Sequence, residues 1–296
     1  MVALRPVVAL GAALTIGSAT LPTALAGGNE REVPLASLAA APVVDGVAGE
    51  WGSEGWVEVP VHPAKEKDDL NTTGAIVVRL KGGIHGGRLY LVADWPDPQA
   101  DTTDRPWRWK GGKYRRGTER DDMFAVRFDM AGDYYECMFT KTDYQVDLWQ
   151  WSAGRSDPAS VAEDYIHIVS LSLQEDAAEY EMPEGGTVYI KKIRDAGDPV
   201  YRNTTPDEGK NQGKELPGTE LTGKASGSLV DVAAKGTWKG GRWTLELSRQ
   251  LDTGHADDVV FKAGAAIKGA VAVFNANFAE HKSVSDTLTF RLPSAK

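Results

Sequence analysis

Cysteine is almost missing: Cys137 stands alone among 296 residues. One thiol closes no internal disulfide, and it excludes covalent haem attachment through C-x-x-C-H as well as cysteine-held iron–sulfur or zinc centres within the chain. Stability must come from burial, a ligand or a partner instead. A basic surplus is missing too. With 33 Lys and Arg against 42 Asp and Glu, a formal net charge of -9 and no clustered basic run, the chain is a poor match for nucleic acid. Hydrolase signatures are equally scarce, since there is no G-x-S-x-G and no H-E-x-x-H. The histidines (His62, His85, His167, His255 and His281) lie far apart without a ligand spacing. Helical periodicity is nearly absent, with "ASVAEDYIHI" the one stretch that predicts a helical turn or two, and no internal repeat or low-complexity tract occurs.

The longest apolar stretch, Pro6 to about Leu21, follows a single Arg5 and precedes Ala24-x-Ala26. These are the three parts of a secretory signal peptide, and the run is too short and broken for a membrane span. The expectation is a leader over residues 1–26 cleaved near Ala26, then one domain over 27–296, periplasmic or otherwise exported and free of any membrane span.

What the chain does have is a series of short β-branched or aromatic runs. "GAIVVRLKGG", "GGRLYLVADWPD", "DDMFAVRFDM", "DYYECMFT", "YQVDLWQWSA", "GGTVYIKKI", "LVDVAAKGTWKGGRWTLELSRQL", "GAVAVFNANFA" and "DTLTFRL" are each bounded by Gly, Pro, Asp or Asn. Most alternate apolar with polar residues, which predicts half-buried strands in an all-β antiparallel β-sandwich. "GTWKGGRWTLEL" reads as a hairpin through Gly240-Gly241, and "IHGGRLYL" as another through Gly86-Gly87. From about Glu179 to Ala225 the composition shifts to Gly, Pro, Lys, Glu and Asn, which predicts a long surface insertion that covers a site, forms an interface or is simply solvated.

Candidate chemistry is sparse. Asp68-Asp69, Asp121-Asp122, Asp257-Asp258 and the series Asp94, Asp97, Asp101, Asp104 offer carboxylates, mostly as turn formers and rims. "DWPDPQADTTD" could supply oxygens to Ca²⁺ but lacks the ordered D-x-[DN]-x-[DN]-G loop. In "CMFTKTDYQVDLWQW", strand alternation puts Tyr135, Cys137 and Phe139 on one side and Met138 on the other with Glu136 and Thr140. Met138 is then off the stripe that a simple core predicts; a thioether is a soft haem ligand as well as a flexible core filler.

Taken together, these segments resemble the haem-b-binding gamma subunits of periplasmic molybdoenzymes of the DMSO-reductase type, the group of ethylbenzene dehydrogenase, dimethylsulfide dehydrogenase, and selenate and chlorate reductases. "VVDGVAGEWGSEGW", "GRLYLVADWPDPQADT", "RDDMFAVRFD", "CMFTKTDYQVDLWQWSAGR", "AKGTWKGGRWTLELSRQLDTGHADDVVFKAG" and "AVAVFNANFAEHKSVSDTLTFRL" carry the resemblance in order along most of the chain. It implies a β-sandwich of the DOMON and CBM9 kind that holds one non-covalent haem b between a methionine and a lysine. The methionine lies just before Trp-x-Trp, at Met138, and the lysine in the "HKSVS" context, at Lys282, with Lys262, Lys268 and His281 as alternatives. A lysine must be deprotonated to bind iron, so a desolvated pocket is required. Trp149, Trp151, Phe274 and Phe278 are the residues expected to wall it. The chain departs from the family pattern at Ser152, where a basic residue usually follows the second Trp, and at "VFNA", which stands where V-W-D-G is usual.

The implied role is electron transfer without substrate chemistry of its own. The implied partners are a molybdopterin-containing alpha subunit, an iron–sulfur beta subunit and a soluble cytochrome. The competing reading is an exported carbohydrate-binding module of the CBM9 type, with Trp107 and Trp109 in "RPWRWKGG" stacking on sugar rings.

Overall fold

Period-two burial governs nearly every strand of the computed structural model, which describes residues 30–294 apart from 66, 139, 183–184, 208, 211–212 and 279–280. The leader expected over 1–26 lies outside the described residues. The strands are β1 (Arg31–Ser37), β2 (Val57–Pro63), β3 (Ile76–His85), β4 (Arg88–Pro96), β5 (Trp107–Lys110), β6 (Lys113–Arg116), β7 (Met123–Gly132), β8 (Tyr144–Ser152) and β9 (Val161–Ser170). They continue with β10 (Ala178–Glu181), β11 (Thr187–Arg194), β12 (Tyr201–Asn203), β13 (Thr219–Leu221), β14 (Val232–Trp238), β15 (Arg242–Gln250), β16 (Ala266–Phe274), β17 (Ser283–Ser285) and β18 (Leu288–Arg291).

Two layers result, as the alternation predicts. One runs β2-β3-β4-β15-β14 and the other β16-β7-β8-β9-β11-β10. β17 joins β16 to β2 at one side, and β14 pairs with β9 at the other, so the sandwich edges are stitched together and few strand edges stay open. β1 adds the parallel ladders, to β18 and to β3, in an otherwise antiparallel assembly. Both expected hairpins form, and Gly86, Gly87, Gly240 and Gly241 all take positive φ, as the tight turns between twisted strands require.

The core lies between the layers. Phe124, Val126 and Phe128 of β7, Trp149 and Trp151 of β8, and Val271 and Val273 of β16 face Leu89, Leu91, Ala93 and Trp95 of β4 and Trp243, Leu245 and Leu247 of β15. The aromatic rings meet edge on, with Trp151 and Trp243 centroids 5.1 Å apart and Phe128 and Trp149 4.9 Å apart. Gly236 of β14 makes room for Trp151, since a Cβ there would lie 2.3 Å from the indole.

Two expectations are corrected and a third gains detail. "DYYECMFT" is not a strand: β7 ends at Gly132 and β8 begins at Tyr144, with Met138 on the connection between them. Gly132 holds a φ of 92° against Asp143, a turn that ends the ladder despite the β-prone residues beyond it. "ASVAEDYIHI" is mostly β9, preceded by a 3-10 turn at Asp157–Ala159; pairing with β8, β11 and β14 overrides its weak helical pattern. The 179–225 stretch carries its expected strand "GGTVYIKKI" as β11, which extends the second layer by pairing with β9, and adds the short strands β12 and β13.

Candidate functional site

The strands that bury tryptophans on one side carry a different set of side chains on the other. Ala270, Ala272 and Phe274 of β16, Ala125 and Arg127 of β7, Leu148 and Gln150 of β8, His167 and Val169 of β9, and Ile190 and Lys192 of β11 line an outward-facing cleft. Register explains the grouping. Ala272 pairs with Ala125, Ala125 with Gln150, and Arg127 with Leu148 in adjoining ladders, so these residues share one face. Val284 of β17, paired with Ala272, completes the floor. The cleft holds about 720 Å³ of empty space, its open mouth included.

Two apolar patches flank it. Met123, Ala125, Leu148, Ala270, Ala272, Phe274 and Val284 form one, and Tyr134, Tyr144, Val146, Val169, Val188 and Ile190 the other. Met138 packs against the second patch from the 133–143 connection. That connection is held by polar anchors: Tyr144 Oη donates to the Cys137 carbonyl at 2.8 Å, and Arg127 Nη2 to the Tyr135 carbonyl at 3.0 Å. Lys282 comes from the other side, immediately before β17, where its carbonyl accepts the Ala64 N–H at 3.0 Å.

Across the cleft the Lys282 amine stands 3.9 Å from the Met138 sulfur. Two residues 144 positions apart, one on a connection and one at a strand start, meet as a sulfur and a nitrogen donor over an apolar floor. Bonds of the length that nitrogen and sulfur make to zinc, about 2.0 and about 2.3 Å, laid end to end span a little over 4 Å. The 3.9 Å separation is shorter than that by about 0.4 Å, so the two donors face each other and would part slightly to take a metal ion between them.

The other expected residues divide. Phe274 lines the cleft. Trp149 and Trp151 do not, because both point into the sandwich core. Phe278 is 48% exposed, with the Arg120 guanidinium 3.8 Å from its ring centroid, and it does not line the cleft either. Among the alternative lysines, Lys262 and Lys268 are exposed and away from the cleft. His281 turns to Asp68, with Nδ1 2.8 Å from the carboxylate.

Arg127, Gln150, His167 and Lys192 are cleft residues that the sequence reading passed over. The available signal was a lone polar residue on the outward phase of an apolar strand, as in "FAVRFDM", "LWQWS", "YIHIVS" and "VYIKKI". His167 is held neutral: burial, then Lys192, Arg127 and Lys282, lowers its pKa to about 3. Burial opposes the Arg127 charge, but the Tyr144 and Tyr134 hydroxyls outweigh it and raise the guanidinium pKa above its ordinary value.

The acidic series is structural where it can be followed. Asp94 binds Arg79 and Arg242, Asp104 binds Arg105 and Arg120, and Asp121 binds Arg155. Asp122 accepts from Trp243 Nε1 and the Ala276 N–H, both at 3.0 Å, and from the Asp101 N–H. Arg155, the basic residue nearest the second Trp, is spent on Asp121 and Tyr201.

The model of the ethylbenzene dehydrogenase family matches residues 48–285. The chain belongs to that family. The match runs from the 3-10 turn at Ala48 through β17 and includes both Met138 and Lys282. A comparison with curated proteins gives no match. Among solved structures, a carbohydrate binding module family 9 protein from Caldicellulosiruptor kristjanssonii in complex with glucose shares 10% identity at a TM-score of 0.39, over 90% of this chain and 97% of that one. A putative carbohydrate-binding protein from Bacteroides uniformis shares 10% identity at a TM-score of 0.40, over 88% and 99%. Among the described residues no helix is long and apolar enough to cross a membrane.

Proposed function

We propose that this chain is a b-type cytochrome subunit, an electron-transfer component of an exported molybdenum oxidoreductase rather than a catalyst. The single observation that carries the reading is the approach of the Met138 sulfur to the Lys282 amine across the cleft. Family membership supports it. Met138 and Lys282 would hold the iron of such a haem, and Phe274, Leu148 and the alanines of β7 and β16 would form the apolar floor beneath it. Arg127 and Lys192 supply positive charge suited to the carboxylates of a haem. Bound haem supplies a one-electron iron couple, and its potential is tuned by axial ligands and burial. The partners in this reading are molybdopterin-containing and iron–sulfur subunits and a soluble cytochrome; the location is the periplasm, after removal of residues 1–26.

Sugar binding is the weaker reading. Trp107 and Trp109 lie on the separate β5–β6 hairpin, where the Arg116 guanidinium sits 5.3 Å from the Trp107 ring and Tyr114 packs 5.1 Å from Trp109. Each ring thus already makes one contact within the hairpin.

The test is the absorption spectrum of the protein purified with haem supplied, oxidised and dithionite-reduced, for the wild type and for Met138→Ala and Lys282→Ala. A sharp reduced b-type α-band that is altered in both variants is the expected result. A spectrum unchanged in both removes the axial pair. A folded wild type without haem, alone and in its oxidoreductase complex, removes the cytochrome reading.

A further inference from the structure

At one end of the core, Arg249 of β15 is completely buried. Its Nη1 reaches Asp147 of β8 at 2.7 Å, Asp164 of β9 at 3.0 Å and Asp258 at 2.9 Å, and its Nη2 donates to the Val259 carbonyl at 2.8 Å. Two more carboxylates stand beside this group, those of Asp195, just past β11, and Asp257. One guanidinium therefore touches three members of a group of five carboxylates.

Asp195 is the anomaly. It is 5% exposed, and neither carboxylate oxygen has a hydrogen-bond partner. A buried acceptor left without a donor is costly, and native structures seldom tolerate it unless something else fills the gap. Asp195, Asp257 and Asp258 each bring an oxygen to within 4.8 Å of the others. Asp257 is fixed in place, with Oδ2 accepting from Ser228 Oγ at 2.7 Å and from the Ala196 N–H at 3.4 Å. Burial, followed by repulsion from Asp257, Asp147 and Asp258, pushes the Asp195 carboxyl up to about 8, a measure of the positive charge the site lacks.

We propose that Asp195, Asp257 and Asp258 bind a Ca²⁺ ion. The donor set is oxygen only, which suits a hard cation, and half-buried Asp257 leaves one side open for waters of coordination. Zinc prefers nitrogen and sulfur. The neighbouring imidazole, His255, is turned to Asp231 at 2.8 Å. The ion fastens the end of β11 to the connection between β15 and β16. Because β11 carries Ile190 and Lys192 of the cleft, Ca²⁺ braces one wall of the site described above. The proposal stands independently of haem binding.

The experiment is calorimetric titration of CaCl₂ into the metal-stripped full chain at pH 7.5, with thermal unfolding followed in parallel. The expected result is binding at one ion per chain and a Tm rise of roughly 5–10 °C at a hundredfold excess over Kd. Asp195→Asn and Asp257→Asn should each lose at least tenfold in Ca²⁺ affinity. Metal-free Asp195→Asn should be at least as stable as the metal-free wild type, because it replaces a buried carboxyl whose oxygens have no hydrogen-bond partner and whose ionised form its acidic neighbours oppose. Should Asp195→Asn fail to fold, Asp257→Asn decides the location. No Ca²⁺ heat and no Tm shift in the wild type overturn the proposal, as does binding retained in the folded variants.

Discussion

The inner and outer faces of β7, β8 and β16 are built from the same strands, one residue out of phase, and they have become opposite environments. Inward, Phe124, Phe128, Trp149, Trp151, Val271 and Val273 join a continuous apolar core. Outward, Ala125, Arg127, Leu148, Gln150, Ala270 and Ala272 make a floor of small and mixed side chains. Bulk fills the inside and its lack leaves space outside. A cleft on a sheet face thus needs no break in the sheet, only small residues on one phase and a connection and a strand start that reach over them.

The sharpest way to break this contrast is to truncate one residue from each side. Trp149→Ala should cost about 3–5 kcal/mol, a fall in Tm of about 10 °C or more in a circular-dichroism melt, with little change in the spectrum of bound haem. Met138→Ala should do the reverse, costing about 1 kcal/mol while changing the spectrum. If Trp149→Ala instead altered the spectrum at full stability, the division between the faces would be wrong.

Arg249→Met comes next, since it strips the partner from three buried carboxylates. A loss of about 3–5 kcal/mol in urea unfolding is expected, most of it from the charges left behind. A pH-dependent effect, absent at neutral pH, distinguishes the cleft histidine. With a folded pKa near 3 against 6.5 unfolded, His167 is neutral in the fold and gains its proton on unfolding. Its stabilising contribution is complete above pH 6.5 and is lost as pH falls toward 3, at up to about 1.4 kcal/mol per pH unit. NMR should show no His167 titration between pH 5 and 8. Smallest of all, Phe278→Ala should cost no more than about 1 kcal/mol, for the loss of its Arg120 contact, and leave the haem spectrum untouched.

Much of this arrangement was legible in the sequence. The β14–β15 hairpin followed from Gly240-Gly241 between alternating runs, and Trp-x-Trp fixed Trp149 and Trp151 on a common face. Which face they occupy was not legible, because β8 is buried on both sides and alternation between two apolar phases has no sign. The connection holding Met138 misled for a related reason: its aromatic residues suit a strand, but Gly132 ends the ladder and Tyr134 and Tyr144 turn to packing and anchoring the connection. The "HKSVS" context pointed to Lys282 ahead of Lys268 and His281, but its approach to Met138 depends on the pairing of β17 with β16 and β2. No local pattern encodes that. Within 179–225 the run "GGTVYIKKI" announced β11, but its place between β9 and β10 exists only in three dimensions.

One difference between the two jaws of the site bears on how it is assembled. Lys282 is tied to the sheet through β17 and the Ala64 contact, whereas Met138 belongs to a connection whose anchors lie on the cleft face and outside the sandwich core. The cleft floor forms with the sheet, whereas the Met138 side hangs on the Arg127–Tyr135 and Tyr144–Cys137 hydrogen bonds. The two jaws are therefore unequal under denaturant: the contacts that carry Met138 should open at lower urea than the β17 ladders beside Lys282.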